Sequence, residues 1–391
     1  MIVDKINVYI WCPFTSRVGT VKNVINSSFS LIKFSKPKLF KVSIINVFGE
    51  WDDYLEELRF KNINTQNFNS VKFIQSWSKE GFLKSRISYL LIFFSSFFSL
   101  FSILKKKKPD YLIVHLITSL PLILFSIFSF KTKLILHIAG HPKITPIRKF
   151  IWKIASSKIT KIICPSYELR EHLLQNKIFN HHKIVVIQDP HLLIKRINKL
   201  QKEEVKEETL NEFFDGKKIL ISVGRLTKQK NYPFLINNFK KLASEYNDIK
   251  LLIIGDGEMK ITLEKLINKL GIKNKIKLTD RKQNIYKYLK RSNYYISTSI
   301  WEGSSLAMID AAYLGVPILC SNCPSGRKEF IGNNEKGFLY NEGDDSDFLN
   351  NFIRMYNMDS ISIKKKLINA KNASRNFTLF KNYLKLENIL N

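Results

Sequence analysis

Two carboxylates and two cations carry the chemistry legible in this sequence. Glu302 and Asp310 lie in Trp301-Glu302-Gly303-Ser304-Ser305-Leu306-Ala307-Met308-Ile309-Asp310, and Arg225 and Lys230 lie in Gly224-Arg225-Leu226-Thr227-Lys228-Gln229-Lys230. Along a helix at 1.5 Å per residue, Asp310 falls about 12 Å beyond Glu302, so the two cannot share one proton or one metal and must touch different parts of a long ligand. Arg225 offers a planar fork of donors and Lys230 a point charge, the pair that neutralises a diphosphate. Taken alone, the acidic segment reads equally well as a solvated Glu and an Asp buried on a helix. The basic loop upstream tips the reading toward an anionic ligand.

The elements that must position these residues follow from local pattern. Tyr294-Tyr295-Ile296-Ser297-Thr298-Ser299 is β-branched and aromatic enough for a buried strand, and the chain turns at Gly303. Ser304 and Ser305 are N-cap candidates for a helix over Leu306 to Leu314. Gly315 suits the αL position after it, and Val316 to Cys320 restarts as strand. Such a β-α-β unit aims the helix's first N–H groups and positive dipole end past the carboxyl end of the strand, where an anion is stabilised. Lys218 to Val223 is a second apolar strand, running into Gly224 and the basic loop, and in open α/β sheets ligands bind at such ends. Leu251-Leu252-Ile253-Ile254-Gly255-Asp256-Gly257 repeats the strand-then-glycine pattern but lacks the third glycine of GxGxxG. Nicotinamide and flavin are therefore not expected, and a tight turn accounts for Gly255 and Gly257.

In order and spacing, Gly224-Arg225-Leu226-Thr227 with Lys230-Asn231, Gly255-Asp256-Gly257, Glu302-Gly303 through Asp310, Gly315-Val316-Pro317 and Cys323-Pro324-Ser325-Gly326 resemble the retaining family 4 glycosyltransferases over about residues 217–345. The resemblance implies an α/β chain of the GT-B fold, two Rossmann-like doubly wound domains facing a central cleft, with a nucleotide-sugar donor held mainly by the second. It implies that Arg225 and Lys230 bind the diphosphate and that Glu302 lies by the donor sugar. Gly224, Gly303 and the N–H groups of Ser304, Ser305 and Leu306 join the donor-binding set. Asp310 stands where the family carries the second glutamate of a Glu-x7-Glu pair, on the ribose hydroxyls; one methylene shorter, it keeps the charge with less reach. A glycine in the first loop approaches the donor phosphates in such enzymes. Gly19 is the candidate, although its usual glycine partner is absent and a plain turn is the other reading. The family also places a histidine after the fifth strand. His115, His137 and His141 sit at strand ends and are the candidates; Leu134 to Pro142 aligns ambiguously with the family's segment, and His141 is the choice. The implied reaction needs no metal and no cofactor: the sugar passes to an acceptor hydroxyl with retention, and the leaving phosphate takes the acceptor proton.

A chain of 391 residues, 45% hydrophobic, suffices for two α/β domains. The expected organisation is an N-terminal acceptor-binding domain over 1–195, a charged linker over 196–216 containing Gln201-Lys202-Glu203-Glu204-Val205-Lys206-Glu207-Glu208, a donor domain over 217–361, and a helical tail over 362–391 crossing back to the first domain.

Ile87 to Leu104 is uncharged but only about 27 Å long as a helix, at the short edge of a bilayer span, and Pro109 to His115, soon after it, reads as the next strand. Ser88, Ser95, Ser99 and Ser102 mark a polar stripe on it. An interfacial or sheet-packed helix is expected rather than a span. The net charge of +30 reflects a Lys-rich composition throughout, yet Lys105 to Lys108, Arg148, Lys149, Lys153, Lys158 and Lys161 cluster near this helix, a recipe for anchoring on an anionic membrane surface. No nucleic-acid recognition motif accompanies the charge, so nucleic acid is not an expected partner. Scattered cysteines, a CxxC at Cys320–Cys323 without a second pair, and an N-terminus that runs directly into a strand point to a cytoplasmic protein on the inner membrane face, without disulfides or a signal peptide. Asp345-Ser346-Asp347 is a literal DxD but suits a helix cap. The expected partners are a nucleotide-sugar donor and a glycan or lipid-linked acceptor in surface polysaccharide or lipopolysaccharide assembly. An epimerase or hydrolase on the same fold, or a noncatalytic basic membrane binder, are the alternatives.

Overall fold

The computed structural model describes residues 5–15, 19–35, 39–68, 82–140, 142–302, 305–324 and 326–391. It divides into two units, Met1–His191 with Leu379–Asn391, and Leu192–Thr378.

Unit 1 is built on seven parallel strands: β1 (Ile6–Trp11), β2 (Phe40–Asn46), β3 (Asn64–Asn67), β4 (Tyr111–Val114), β5 (Lys133–His137), β6 (Ile159–Cys164) and β7 (Ile184–Val186). Their order is β3-β2-β1-β4-β5-β6-β7. Continuous apolar runs suit strands buried on both faces, and β4 is buried at every position. Leu112 and Val114 pack with the helices Phe82–Ser102, Ser119–Ile127 and Pro146–Ala155. Tyr111 and Ile113 pack on the other face with Gly19–Phe34 and the C-terminal helix Leu379–Leu390. Asn382 of that last helix accepts a hydrogen bond from the Ser30 hydroxyl at 2.9 Å.

Unit 2 has six parallel strands, β8 (Lys218–Val223), β9 (Ile249–Ile254), β10 (Ile276–Thr279), β11 (Tyr294–Ser297), β12 (Ile318–Ser321) and β13 (Phe338–Tyr340), in the order β10-β9-β8-β11-β12-β13. In each sheet the direction of winding reverses beside the first strand, between β1 and β4 and between β8 and β11. The loops leaving the carboxyl ends of such a pair diverge and leave a crevice for a ligand.

Two expectations are corrected here. The charged run expected as a linker over 196–216 is part of unit 2: helices Ile194–Leu200 and Glu208–Phe214 bury Ile197, Leu210, Phe213 and Phe214, with Val205 between them. Apolar residues scattered among lysines and glutamates anchor the segment, while Glu207 accepts hydrogen bonds from Tyr288 at 2.8 Å and Lys282 at 2.9 Å. The tail divides rather than crossing as one piece from 362, since Ser360–Ser374 packs on the helix Leu306–Leu314 within unit 2 and only Leu379–Leu390 joins unit 1. The Phe82–Ser102 helix turns serine inward, with Ser88 and Ser96 fully buried and Phe94 and Phe98 exposed.

Candidate active site

The crevice of unit 2 gathers the charges singled out in the sequence. Gly224 to Asn231 leaves β8, and Thr298 to Ser305 leaves β11, the strand beside it. Gly255 is required where β9 ends, whereas at Gly224 an added Cβ comes closest to a movable side chain. A Cβ on Gly255 would stand 1.9 Å from the Gly224 carbonyl oxygen, and one on Gly224 would meet the Lys230 side chain at 2.9 Å. The first loop closes with a 3-10 turn, Lys228–Lys230, ended by Asn231 in the left-handed region at φ 50°. The Thr298 hydroxyl pins it, donating to the carbonyls of Lys230 at 2.9 Å and Asn231 at 3.1 Å. Gln229 ties it to the second loop, donating to the Trp301 carbonyl at 2.7 Å and accepting from the Ile300 N–H at 2.9 Å.

Glu302 is the centre of this arrangement. Its Oε1 accepts from Lys230 Nζ at 2.5 Å, Ser299 Oγ at 2.7 Å and Arg327 Nη2 at 3.1 Å. Burial pushes the carboxyl pKa up, but the Lys230 ammonium, the Arg327 guanidinium and the hydrogen bonds from Lys230 and Ser299 outweigh it, and Glu302 ends below the usual glutamate range. It is an ionised, positioned acceptor. Arg225 is exposed at the rim, 3.5 Å from Gln229 Oε1.

Arg327 is the residue that sequence reasoning missed. It is fully buried at the start of the helix Arg327–Ile331, whose N-cap, Gly326, has φ 71°. Its Nε donates to Ser305 Oγ at 2.8 Å, Nη1 to Ser321 Oγ at 2.7 Å, and Nη2 to Ser297 Oγ at 2.7 Å as well as to Glu302. One guanidinium thus joins the ends of β11 and β12, the Glu302 loop and the start of the helix Leu306–Leu314. The signal available was Arg327 directly after Cys323-Pro324-Ser325-Gly326, a segment already singled out. Ser305 occupies the N-cap position but does not cap with its hydroxyl, which accepts from Arg327 instead. Leu306 begins the helix, and its first-turn N–H groups have no partner within the helix itself.

Asp310 is buried in the same helix, close enough to Tyr286 that its charge, after burial, helps raise the Tyr286 hydroxyl pKa. Gly303, Ser304 and His141 lie outside the described residues. Gly19 belongs to unit 1, exposed at the first position of Gly19–Phe34 with open space where a Cβ would go. His115 and His137, at the carboxyl ends of β4 and β5, form a buried pair with Nδ1 atoms 2.6 Å apart. Burial, and for His115 also the charge of His137, lowers both pKa values, to about 4 for His137.

Cys320 and Cys323 are both buried, burial pushing Cys320 up to about 12. The DxD carboxylates serve the helix Asp345–Tyr356: Asp344 caps it through the Asp347 N–H at 2.9 Å, Asp345 accepts from Asn238 and Lys241, and Asp347 accepts from the Asn341 N–H.

A family profile described as Glycosyl transferases group 1 matches residues 201–376. An uncharacterized glycosyltransferase of Methanocaldococcus jannaschii is 32% identical over 60% of this chain and 61% of its own length. A UDP-Gal:alpha-D-GlcNAc-diphosphoundecaprenol alpha-1,3-galactosyltransferase of Escherichia coli is 26% identical over 71% of this chain and 75% of its own. The first curated relatives are matched over about half to three fifths of their length. The crystal structure of a glycosyltransferase from Rickettsia africae ESF-5 superposes with a TM-score of 0.76 at 20% identity, covering 99% of this chain and 98% of that one. At that identity the likeness is one of fold, and the two Rossmann-like units are those of the GT-B class. Residues 201–376 thus carry a Glycosyl transferases group 1 domain.

Proposed function

We propose that the protein transfers a sugar, with retention of anomeric configuration, from a nucleotide-sugar donor to a hydroxyl of a glycan or lipid-linked acceptor. The assembly of surface polysaccharide or lipopolysaccharide at the cytoplasmic face of a membrane is the setting. The observation that carries this reading is the Lys230–Glu302–Arg327 cluster at the crevice of unit 2. The Escherichia coli relative, named for a UDP-sugar donor and a diphosphoundecaprenol-linked acceptor, supports the substrate classes.

In this mechanism Arg225 and Lys230 meet the donor diphosphate, with the N–H groups of Ser305 and Leu306 at the helix start. Glu302, ionised and fixed by three donors, orients the sugar, and Asp310 takes the ribose hydroxyls. The bond from the anomeric carbon to the leaving phosphate oxygen breaks as the acceptor oxygen bonds to the same carbon on the same face. The acceptor proton passes to the departing phosphate. Charge builds on the diphosphate in the transition state, so the cations act where they lower the barrier. No step is assigned to a metal.

Purified protein is screened with UDP-galactose, UDP-N-acetylglucosamine and GDP-mannose for thermal stabilisation, then for product with and without an acceptor. One donor stabilising the protein and yielding an acceptor-dependent product of unchanged anomeric configuration supports the proposal. Product without acceptor would instead identify an epimerase or hydrolase, and an inverted anomer would refute retention.

A further inference from the structure

The helix Phe82–Ser102 wears its polarity the wrong way round for a soluble protein. Ser88 and Ser96 are buried beside Ile92 and Leu100, while Phe94 is 69% exposed and Phe98 78%. Small serine side chains let the helix lie close on the sheet, and Ser95 satisfies its hydroxyl on the Leu91 carbonyl. Placing phenylalanine outward in water forfeits the burial term that normally orients a helix.

The two neighbouring helices share the habit. Ile127 is exposed at the end of Ser119–Ile127, and Pro146–Ala155 presents Ile147 at 74% and Phe150 at 65% exposure. The three helices pack in succession and bury their inner sides in one core cluster on one face of the seven-stranded sheet. The exposed apolar side chains of the first and third helices, with Ile127 on the middle one, make up the outer layer of these helices.

The charge around this layer has one sign. Arg148, Lys149 and Lys153 are interleaved with the outer row of Pro146–Ala155, and exposed Lys105 to Lys107 follow the first helix. Asp110 is the only acidic residue between Phe82 and Ser166. Its carboxylate accepts from the Asn7 N–H at 2.7 Å. Aromatic and aliphatic side chains ringed by cations match an acyl boundary beneath anionic head groups.

We infer that this three-helix face of unit 1 docks in the plane of an anionic lipid surface, with Phe94, Phe98 and Phe150 entering the acyl boundary and Arg148, Lys149 and Lys105 to Lys107 meeting head-group phosphates. It deepens the proposed membrane setting, resting on that reading only for why docking serves catalysis. By length and composition Ile87–Lys107 could cross a bilayer. It does not, because Ile92, Leu100, Ile103 and Leu104 belong to the core of the sheet and the chain returns at once to β4, paired between β1 and β5.

The full chain is floated with vesicles of phosphatidylcholine alone and of equal parts phosphatidylcholine and phosphatidylglycerol. It is expected to rise with the anionic vesicles and to be released by alkaline carbonate. Phe94→Ser combined with Phe98→Ser, and Phe150→Ser separately, each weaken partition by about tenfold with an unchanged melting temperature, and Arg148→Glu combined with Lys149→Glu abolishes the preference for anionic vesicles. Equal binding to neutral vesicles, partition unaffected by these changes, retention after carbonate as a spanning segment would give, or self-association through this face in place of vesicle binding each overturns the inference. Donor-induced stabilisation, measured on the same samples, separates the two readings: its absence with flotation intact refutes the donor site and leaves the surface standing.

Discussion

Arg327 and Glu302 form a charge pair that water barely reaches, guanidinium Nη2 to carboxylate Oε1 3.1 Å apart with side chains 1% and 8% exposed. Removing one partner of such a pair costs about 3–5 kcal/mol, because the other charge stays buried and uncompensated. Arg327→Met is expected to lower the unfolding free energy of unit 2 by that amount and to abolish transfer. Arg327→Lys keeps the charge but cannot reach Ser297, Ser305, Ser321 and Glu302 together, so it loses less stability while turnover still falls. Denaturant titration beside steady-state kinetics checks both. Equal stability of wild type and Arg327→Met would refute the bracing role.

Gly255 tests how tightly the loop after β8 is built. The Cβ of Gly255→Ala would overlap the Gly224 carbonyl, backbone against backbone, which no rotamer change relieves. The expected loss is about 2–3 kcal/mol, with weakened donor binding because Gly224 must shift. Gly216→Ala, at φ 60° with open space around it, should cost only about 1–2 kcal/mol and leave donor binding unchanged. Thermal melts with and without donor distinguish the two.

Unit 1 buries groups that titrate in opposite senses. His115 and His137 are lowered by burial, so their contribution is full above the unfolded value near 6.5 and is lost as pH falls toward about 4 for His137. Burial raises Glu50 to about 7 despite hydrogen bonds from the Val47 and Phe48 N–H groups, so its contribution is full below the unfolded value of 4.5 and is lost as pH rises through about 7. Glu50→Gln is expected to remove the loss on the alkaline side, and His137→Asn to reduce the loss on the acid side. Melting temperatures across pH 4 to 8 read this directly, and parallel curves for wild type and both variants would contradict it.

Much of unit 2 was legible because strand, glycine and helix signals coincide there. The β-branched run Tyr294 to Ser299 and the apolar run Lys218 to Val223 place their loops at adjacent strand ends, which brings Lys230 to Glu302. Arg327 was not legible. A single arginine after a loop resembles any surface cation, and only the packing of four segments around it turns it into a brace. The segment 196–216 was misread because Val205, Leu210, Phe213 and Phe214 are spaced irregularly between charges, so neither a period of 3.6 nor one of 2 marks them as core. Periodicity does give the two faces of Phe82–Ser102, but not which is inward. The rule that apolar residues point in does not give it either, since Phe94 and Phe98 are exposed while Ser88 and Ser96 are buried.

The proposed donor site requires a nucleoside diphosphate to bind at Lys230. Calorimetric titration of UDP into the wild type and Lys230→Met, at two salt concentrations, measures this most directly. Loss of one charge-assisted contact is expected to weaken binding by about 1.5–3 kcal/mol, roughly tenfold to a hundredfold, with a shallower salt dependence. Unchanged UDP affinity in a folded Lys230→Met protein would contradict the assignment of the crevice between β8 and β11 as the donor site.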